Sequence, residues 1–277
     1  MISNLLQSSV NILPWQFRGW IKHIPIISNL QRWFFAKFLA GQEFIHLINA
    51  GPAKGLKYPV KLPEDKAIWS GTYEPDFALV LANSVQPGDI CYDIGGYRGF
   101  FSSVFALAGA KLVITFEPLP ANISQLRRLA EVNPQLPLRL ESIAVGEEDG
   151  FVEFYVMPEA SMGKLENSSF QAEVKGTDLL TVPIRKLDSL VSEETIPAPQ
   201  VIKIDVEGAE VQVLKGAREM LCKYHPLLLI EAHSPLLAND CTSILRELGY
   251  QVSVLETGFA PNPQSDPEVC HLIAKFP

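Results

Sequence analysis

The chain has 277 residues, of which 47% are hydrophobic, enough apolar material for a full core and too much for a disordered chain. Its formal net charge of -8 argues against general nucleic-acid binding. The cysteines Cys91, Cys222, Cys241 and Cys270 are dispersed, with neither C-x-x-C spacing nor zinc-finger partners, so they read as free thiols in a reducing, cytoplasmic compartment.

Residues 1–65 read as an N-terminal helical extension. Trp15, Phe17, Trp20, Trp33, Phe34 and Phe38 accompany Arg18, Lys22, Arg32 and Lys37 there. Two readings stand: helices that cap the active site or contact a second copy in a homodimer, and an interfacial helix lying peripherally on an acidic membrane. No secretory signal is read, because Arg18 comes after the first apolar stretch. No run reaches the roughly 18 apolar residues needed to span a bilayer.

Residues 66–277 read as one α/β domain. "QPGDICYDIGG" gives a turn and a strand ending at Asp93, and "FFSSVFALAG" gives a helix stopped by Gly109. "KLVITFEP" is a buried strand closed by Glu117, and "PANISQLRRLAEVN" is a helix with Pro120 in its first turn. "LRLESIAVG" is a third strand. "FVEFYVMP" and "LLTVPIRKLDSL" alternate like half-exposed antiparallel strands around the polar loop "EASMGKLENSSFQAEVKGT". Then come the strand "QVIKIDVEG", the helix "AEVQVLKGAREMLCK", the strand "HPLLLIEAHS" and the helix "PLLANDCTSILRELG". "YQVSVLE" and "VCHLIAKF" are the last strands. Repeated βα units predict a parallel sheet with helices on both faces. Such sheets bind ligands at the carboxyl ends of their strands, where Asp93, Glu117, Ser142, Asp205 and Glu231 stand.

In "DIGGYRGF" (93–100), Gly95 and Gly96 allow a sharp turn and close backbone approach, and Gly99 lets the next helix pack close. The spacing is G-G-x-x-G, and Asp93 repels a pyrophosphate. That suits a cationic ligand such as S-adenosylmethionine, which carries a sulfonium and an ammonium. Glu117, 24 residues after Asp93, is placed for ribose hydroxyls, a requirement NAD shares.

In "VIKIDVEGAE" (201–210), Asp205 ends a strand and is the foremost active-site candidate. Glu207 shapes or lines the turn, with Gly208 giving backbone room. Glu210 falls in a helix's first turn, where an acid complements the dipole, and is expected to be solvated. Magnesium would need a second ligand beside Asp205; none is identifiable, so no metal is expected. His233 follows "LLLIEA" and has an ordinary pKa suited to a base, or else it is a locally bonded loop histidine. His271 has no supporting context.

"VIKIDVEGAEVQVLKGA" resembles the hallmark of the FkbM family of S-adenosylmethionine-dependent methyltransferases. The similarity extends through "GTYEPD" (71–76), "GDICYDIGGYRG" (88–99), "FEPLPANISQLRRLAEVN" (116–133), "IAVGEEDG" (143–150), "IRKLDSL" (184–190) and "PLLLIEAH" (226–233). The resemblance implies a Rossmann-like methyltransferase fold, with a mostly parallel seven-stranded sheet and a β-hairpin insertion. It implies that Asp93, Gly95, Gly96 and Gly99 form the cofactor loop. Glu117 would bind the ribose and Pro118 shape its turn. Ser142, Ile143 and Ala144 would flank the adenine, and Tyr73 and Glu74 would lie over the methionine. The family loop usually reads Asp-x-Gly-Ala-Asn-x-Gly; here Gly96-Tyr97 replaces Ala-Asn. The implied reaction is O-methylation of a sugar, glycan, glycolipid or secondary metabolite, with Asp205, Glu207 and His233 positioning and deprotonating the acceptor. The competing readings are an NAD-linked oxidoreductase and a catalytically silent cofactor-binding domain.

Overall fold

A computed structural model describes residues 43–156, 163–165, 178–255 and 269–277. The aromatic and basic residues expected to form a cap or membrane helix, and most of the polar loop after residue 158, lie outside the described residues. Among the described residues no helix is long and apolar enough to cross a membrane.

The described chain opens with β1 (Glu43–Leu47) and β2 (Lys57–Lys61), paired antiparallel. This part of the expected helical extension is therefore a β-hairpin. The strand "KYPVK" buries Tyr58, Pro59 and Val60, and Ala53, Leu56 and Leu62 join the same core. Tertiary packing decides the local structure here. Next come α1 (Lys66–Ser70) and α2 (Pro75–Asn83), then β3 (Ile90–Ile94), α3 (Phe100–Leu107), β4 (Leu112–Phe116), α4 (Pro120–Val132) and β5 (Leu138–Glu141). A second unit follows: β6 (Ala144–Val145), β7 (Gly150–Val156), β8 (Gly163–Leu165) and β9 (Asp178–Arg185). The remainder is α5 (Leu187–Ser192), β10 (Val201–Ile204), α6 (Glu210–Lys215), α7 (Arg218–Tyr224), β11 (Leu227–Ala232), α8 (Pro235–Glu247), β12 (Gln251–Val254) and β13 (Cys270–Lys275).

The central sheet has seven strands in the order β12-β13-β11-β10-β3-β4-β5, with only β13 antiparallel to its neighbours. Separate apolar clusters cover its two faces. The chain leaves β3 in one direction through β4 to β5, and leaves β10 in the other to β11. The order reverses between β3 and β10, which opens a crevice at their carboxyl ends.

Three expected elements are corrected. "LRLESIAVG" is split between sheets: β5 ends at Glu141, and β6 pairs with β9 in a four-stranded sheet of order β6-β9-β7-β8. "LDSL" is helical. Finally, "AEVQVLKGAREMLCK" is two helices broken at Gly216-Ala217. One residue explains both helical changes. Asp188 in α5 accepts hydrogen bonds from Glu219 and Met220 N–H at 3.1 and 2.8 Å, so it caps α7. Its own N–H donates to the Gly216 carbonyl at 3.0 Å. Gly216 also meets the second sheet: a Cβ there would lie 1.9 Å from the Gly146 carbonyl oxygen.

Gly216 has an ordinary negative φ of -77°, so its substitution tests contact rather than backbone strain. Gly216→Ala is expected to lower stability by about 1–3 kcal/mol by overpacking. Urea unfolding of the variant beside the parent checks this.

Candidate active site

The strand β10 is buried along its whole length although its third residue is Lys203. Parallel pairing places Lys203 directly opposite Asp93. Its Nζ lies 3.4 Å from Asp93 Oδ1, 3.1 Å from Asp205 Oδ2 and 5.1 Å from the Phe101 ring centroid. Burial disfavours the ammonium, but Asp205 and Asp93 outweigh it and raise the Lys203 pKa. Asp93 also accepts from Ser102 Oγ at 2.5 Å, and Thr115 Oγ1 donates to Ser102 at 2.8 Å. Asp93 is fully buried, and burial raises its pKa more than Lys203 and Ser102 lower it. It supports the loop from below and does not line the cleft.

The loop above it is shaped by close approach. Gly95 has φ +78°, and a Cβ there would sit 1.7 Å from the Asp205 carbonyl oxygen. Gly96 is a matter of space, since its Cβ would sit 2.1 Å from Thr115 Cγ2. Tyr97 adopts φ +47°, a left-handed conformation that asparagine tolerates better than most residues. The family's Asn at this position therefore has a backbone explanation. Tyr97 N–H and Leu119 N–H both donate to Glu117, at 2.9 and 2.8 Å. Burial pushes the Glu117 pKa up to about 7 against the pull of these donors. Gly99 precedes α3 and packs against Leu126 and Leu129.

A cleft of about 820 Å³ lies along these strand ends. Sheet order arranges its wall. Ile143 and Ala144 follow β5, Glu117 and Pro118 follow β4, Gly95 follows β3, and Asp205 and Glu207 follow β10. Tyr73 lines the cleft as well. Ser142 is exposed and does not line it. Glu74 stands outside the lining, with Oε2 3.6 Å from His271 Nε2.

His233 gathers the carboxylates. Its Nδ1 lies 2.7 Å from Glu210 Oε1. Its Nε2 lies 3.5 Å from Glu207, 3.6 Å from Asp205 and 3.8 Å from Glu231. Burial opposes charge on His233, but the Glu210 bond and the facing carboxylates raise its pKa to about 10. Glu210 was expected to be solvated; it is fully buried and accepts Gly208 N–H at 3.0 Å. The turn at Glu207 (φ +53°) and Gly208 (φ +98°) carries the chain into α6, whose first residue, Glu210, reaches His233. Burial raises the Glu207 pKa to about 7, assisted by Asp205. Asp205 is lowered, because Lys203 and His233 overcome its burial.

His271 joins the site although its sequence context gave no sign. Antiparallel pairing sets it opposite Glu231, with Nε2 3.5 Å from Glu231 Oε2. Its ring stacks on Phe77 at 4.6 Å. Burial opposes its charge too, yet Glu231 and Glu74 raise its pKa to about 9. Lys203 was equally hidden within an apolar run; the only available signal was a lysine two residues before a strand-end aspartate.

No second ligand for Asp205 was identifiable in sequence, but the structure brings Glu231 and His233 together with it. Ligand atoms of these three lie within 4.8 Å of one another, as do those of Glu74, Glu231 and His271. A cation entering either group must displace a proton from a histidine held charged by its neighbours.

Lys203→Met leaves Asp93 and Asp205 facing each other without their shared cation. A loss of about 3–5 kcal/mol is expected for a broken buried pair. Adding Asp93→Asn to that variant should recover part of it, as measured by chemical denaturation.

A family model described as the methyltransferase FkbM domain matches residues 93–252. Hexuronic acid methyltransferase AglP of Haloferax volcanii is 27% identical over 176 residues, which is 63% of this chain and 68% of that protein. 2-O-methyltransferase NoeI of Sinorhizobium fredii is 27% identical over 150 residues, 50% of this chain and 61% of that protein. The chain thus spans about two thirds or less of these relatives. A crystal structure of a methyltransferase FkbM from Methylobacillus flagellatus KT aligns over 68% of this chain and 43% of that one, with 21% identity and a TM-score of 0.45.

Proposed function

Because this chain belongs to the FkbM methyltransferase family, we propose that it moves the methyl group of S-adenosylmethionine to a hydroxyl oxygen of a sugar, glycan, glycolipid or secondary metabolite. Family membership sets the NAD-linked reading aside. The observation that carries the proposal is the pairing, on the wall of one cleft, of Glu117 with Asp205 and Glu207, which His233 bridges from outside the lining. The names of AglP and NoeI support a sugar-type acceptor.

The residues fit the cofactor. Glu117 is on the cleft wall, held by two backbone N–H groups and placed to accept from ribose hydroxyls. Ile143, Ala144 and Tyr73 also line the cleft; in this reading the first two would give adenine an apolar edge and Tyr73 would cover the methionine. When bound, the cofactor supplies an electrophilic methyl group on a positively charged sulfur. The protein's task is to hold an acceptor oxygen close and to take its proton.

Glu207 is the better proton acceptor. It lines the cleft, and its pKa of about 7 puts it in balance with neutral solution. His233, raised to about 10, already holds a proton at neutral pH. Its imidazolium, fixed by Glu210, draws Glu207 and Asp205 to one side of the cleft. Asp205, held ionised by Lys203 and His233, positions the acceptor by accepting a hydrogen bond.

Turnover is followed as S-adenosylhomocysteine release against a panel of methyl hexosides and hexuronides. The rate should fall about tenfold per pH unit below about 7, as Glu207 takes up its proton, and level off above it. Glu207→Gln should cost about 10²–10⁴-fold and abolish that dependence. A Glu207→Gln enzyme with the parent pH profile would remove Glu207 from the mechanism. In calorimetry, Glu117→Ala should weaken S-adenosylmethionine binding by about tenfold or more, the worth of hydrogen bonds to a charged group. Unchanged binding would move the ribose away from Glu117.

A further inference from the structure

Arg98 follows Tyr97 in the cofactor loop, and its side chain is only 6% exposed. A guanidinium stays charged, and burying it is costly unless its N–H groups find acceptors. Nη1 lies 2.9 Å from Asp65 Oδ2. Nε and Nη1 are both buried, and neither makes a hydrogen bond of good geometry among the described residues, so Asp65 holds Nη1 as an ion pair. Asp65 is already shared, since the same Oδ2 accepts Lys61 N–H at 2.7 Å. Asp65 offsets the charge of the guanidinium, and the guanidinium still has N–H groups to give to a ligand.

Arg98 lines the same cleft as Glu117 and Asp205, as do Lys61 and Glu64, which pair with each other at 3.4 Å. The β10 side of the cleft is acidic, with Asp205 and Glu207 on its wall and Glu231 close to His233. A ligand bearing both signs of charge is therefore sorted by the cleft. A sulfonium is drawn toward the β10 end and a carboxylate toward Arg98, because Lys61 is already paired with Glu64. A guanidinium edge presents parallel N–H bonds that match a carboxylate.

We propose that Arg98 binds the α-carboxylate of the cofactor's methionine through its guanidinium and so fixes the cofactor's direction in the cleft. This rests on the methyltransferase reading. Asp65 is a positioning residue that pairs with the guanidinium.

The test is calorimetry on the full chain with S-adenosylmethionine and with decarboxylated S-adenosylmethionine, which keeps the sulfonium and ammonium and lacks only the carboxylate. The parent should prefer the intact cofactor by about 10- to 100-fold, the worth of a charge-assisted hydrogen-bonded contact. Arg98→Met should abolish that preference and leave the decarboxylated ligand's affinity unchanged. Because Arg98→Met strands Asp65, the double variant Arg98→Met/Asp65→Asn is measured beside it, with thermal unfolding to show that it is folded. A preference that survives in the folded variants, or an equal loss for both ligands, overturns the proposal. A parent that binds both ligands equally overturns it too, while leaving the methyltransferase reading intact. A parent that binds neither overturns both.

Discussion

One buried ammonium organises the site. Lys203 stands inside a strand with no exposed residue, between Asp93 of β3 and Asp205 just past β10, and near an aromatic ring. Without it the carboxyl ends of β3 and β10 would repel each other at the place where the sheet must open its crevice. With it, Asp93 braces the loop from below and Asp205 remains ionised above. The Gly95 loop can then pass so close to β10 that no side chain fits between them.

The rest of the acidic floor follows the same logic with weaker partners. His233 and His271 each stand between carboxylates, and each keeps a proton because of them. The cluster is thus a set of shared protons and fixed charges rather than independent acids. Glu207 differs in having its carboxylate at the cleft and its backbone in the left-handed region. A strained residue with a tuned pKa beside a cleft is the combination that marks chemistry. Glu210, by contrast, is spent on orienting His233.

Much of this was legible in the sequence, and the physical reason is topological. Repeated βα units fix a parallel sheet, and a parallel sheet puts every strand's carboxyl end on one edge. Asp93, Glu117, Asp205, Glu207 and His233 follow from that rule. What sequence could not supply was register. His271 enters the site only because β13 runs antiparallel and pairs opposite Glu231. Lys203 looked like an interruption of an apolar run until pairing set it across from Asp93. Glu210 read as a solvated helix start because the turn that aims it inward depends on two unusual backbone angles. Residues 43–61 gave no sign that they would share a core with α3. Arg98 escaped notice because an arginine in a loop ordinarily faces water; burial against Asp65 changes its meaning.

Gly96 ties this loop to the neighbouring strand. The space an alanine methyl would fill is occupied by Thr115 Cγ2, and the hydroxyl of the same threonine donates to Ser102, which donates to Asp93. Positions 96 and 115 are therefore sterically coupled. A methyl added at 96 makes the Thr115 side chain shift, and with it the hydroxyl relay to Asp93, so the glycine keeps the loop and the neighbouring strand in step.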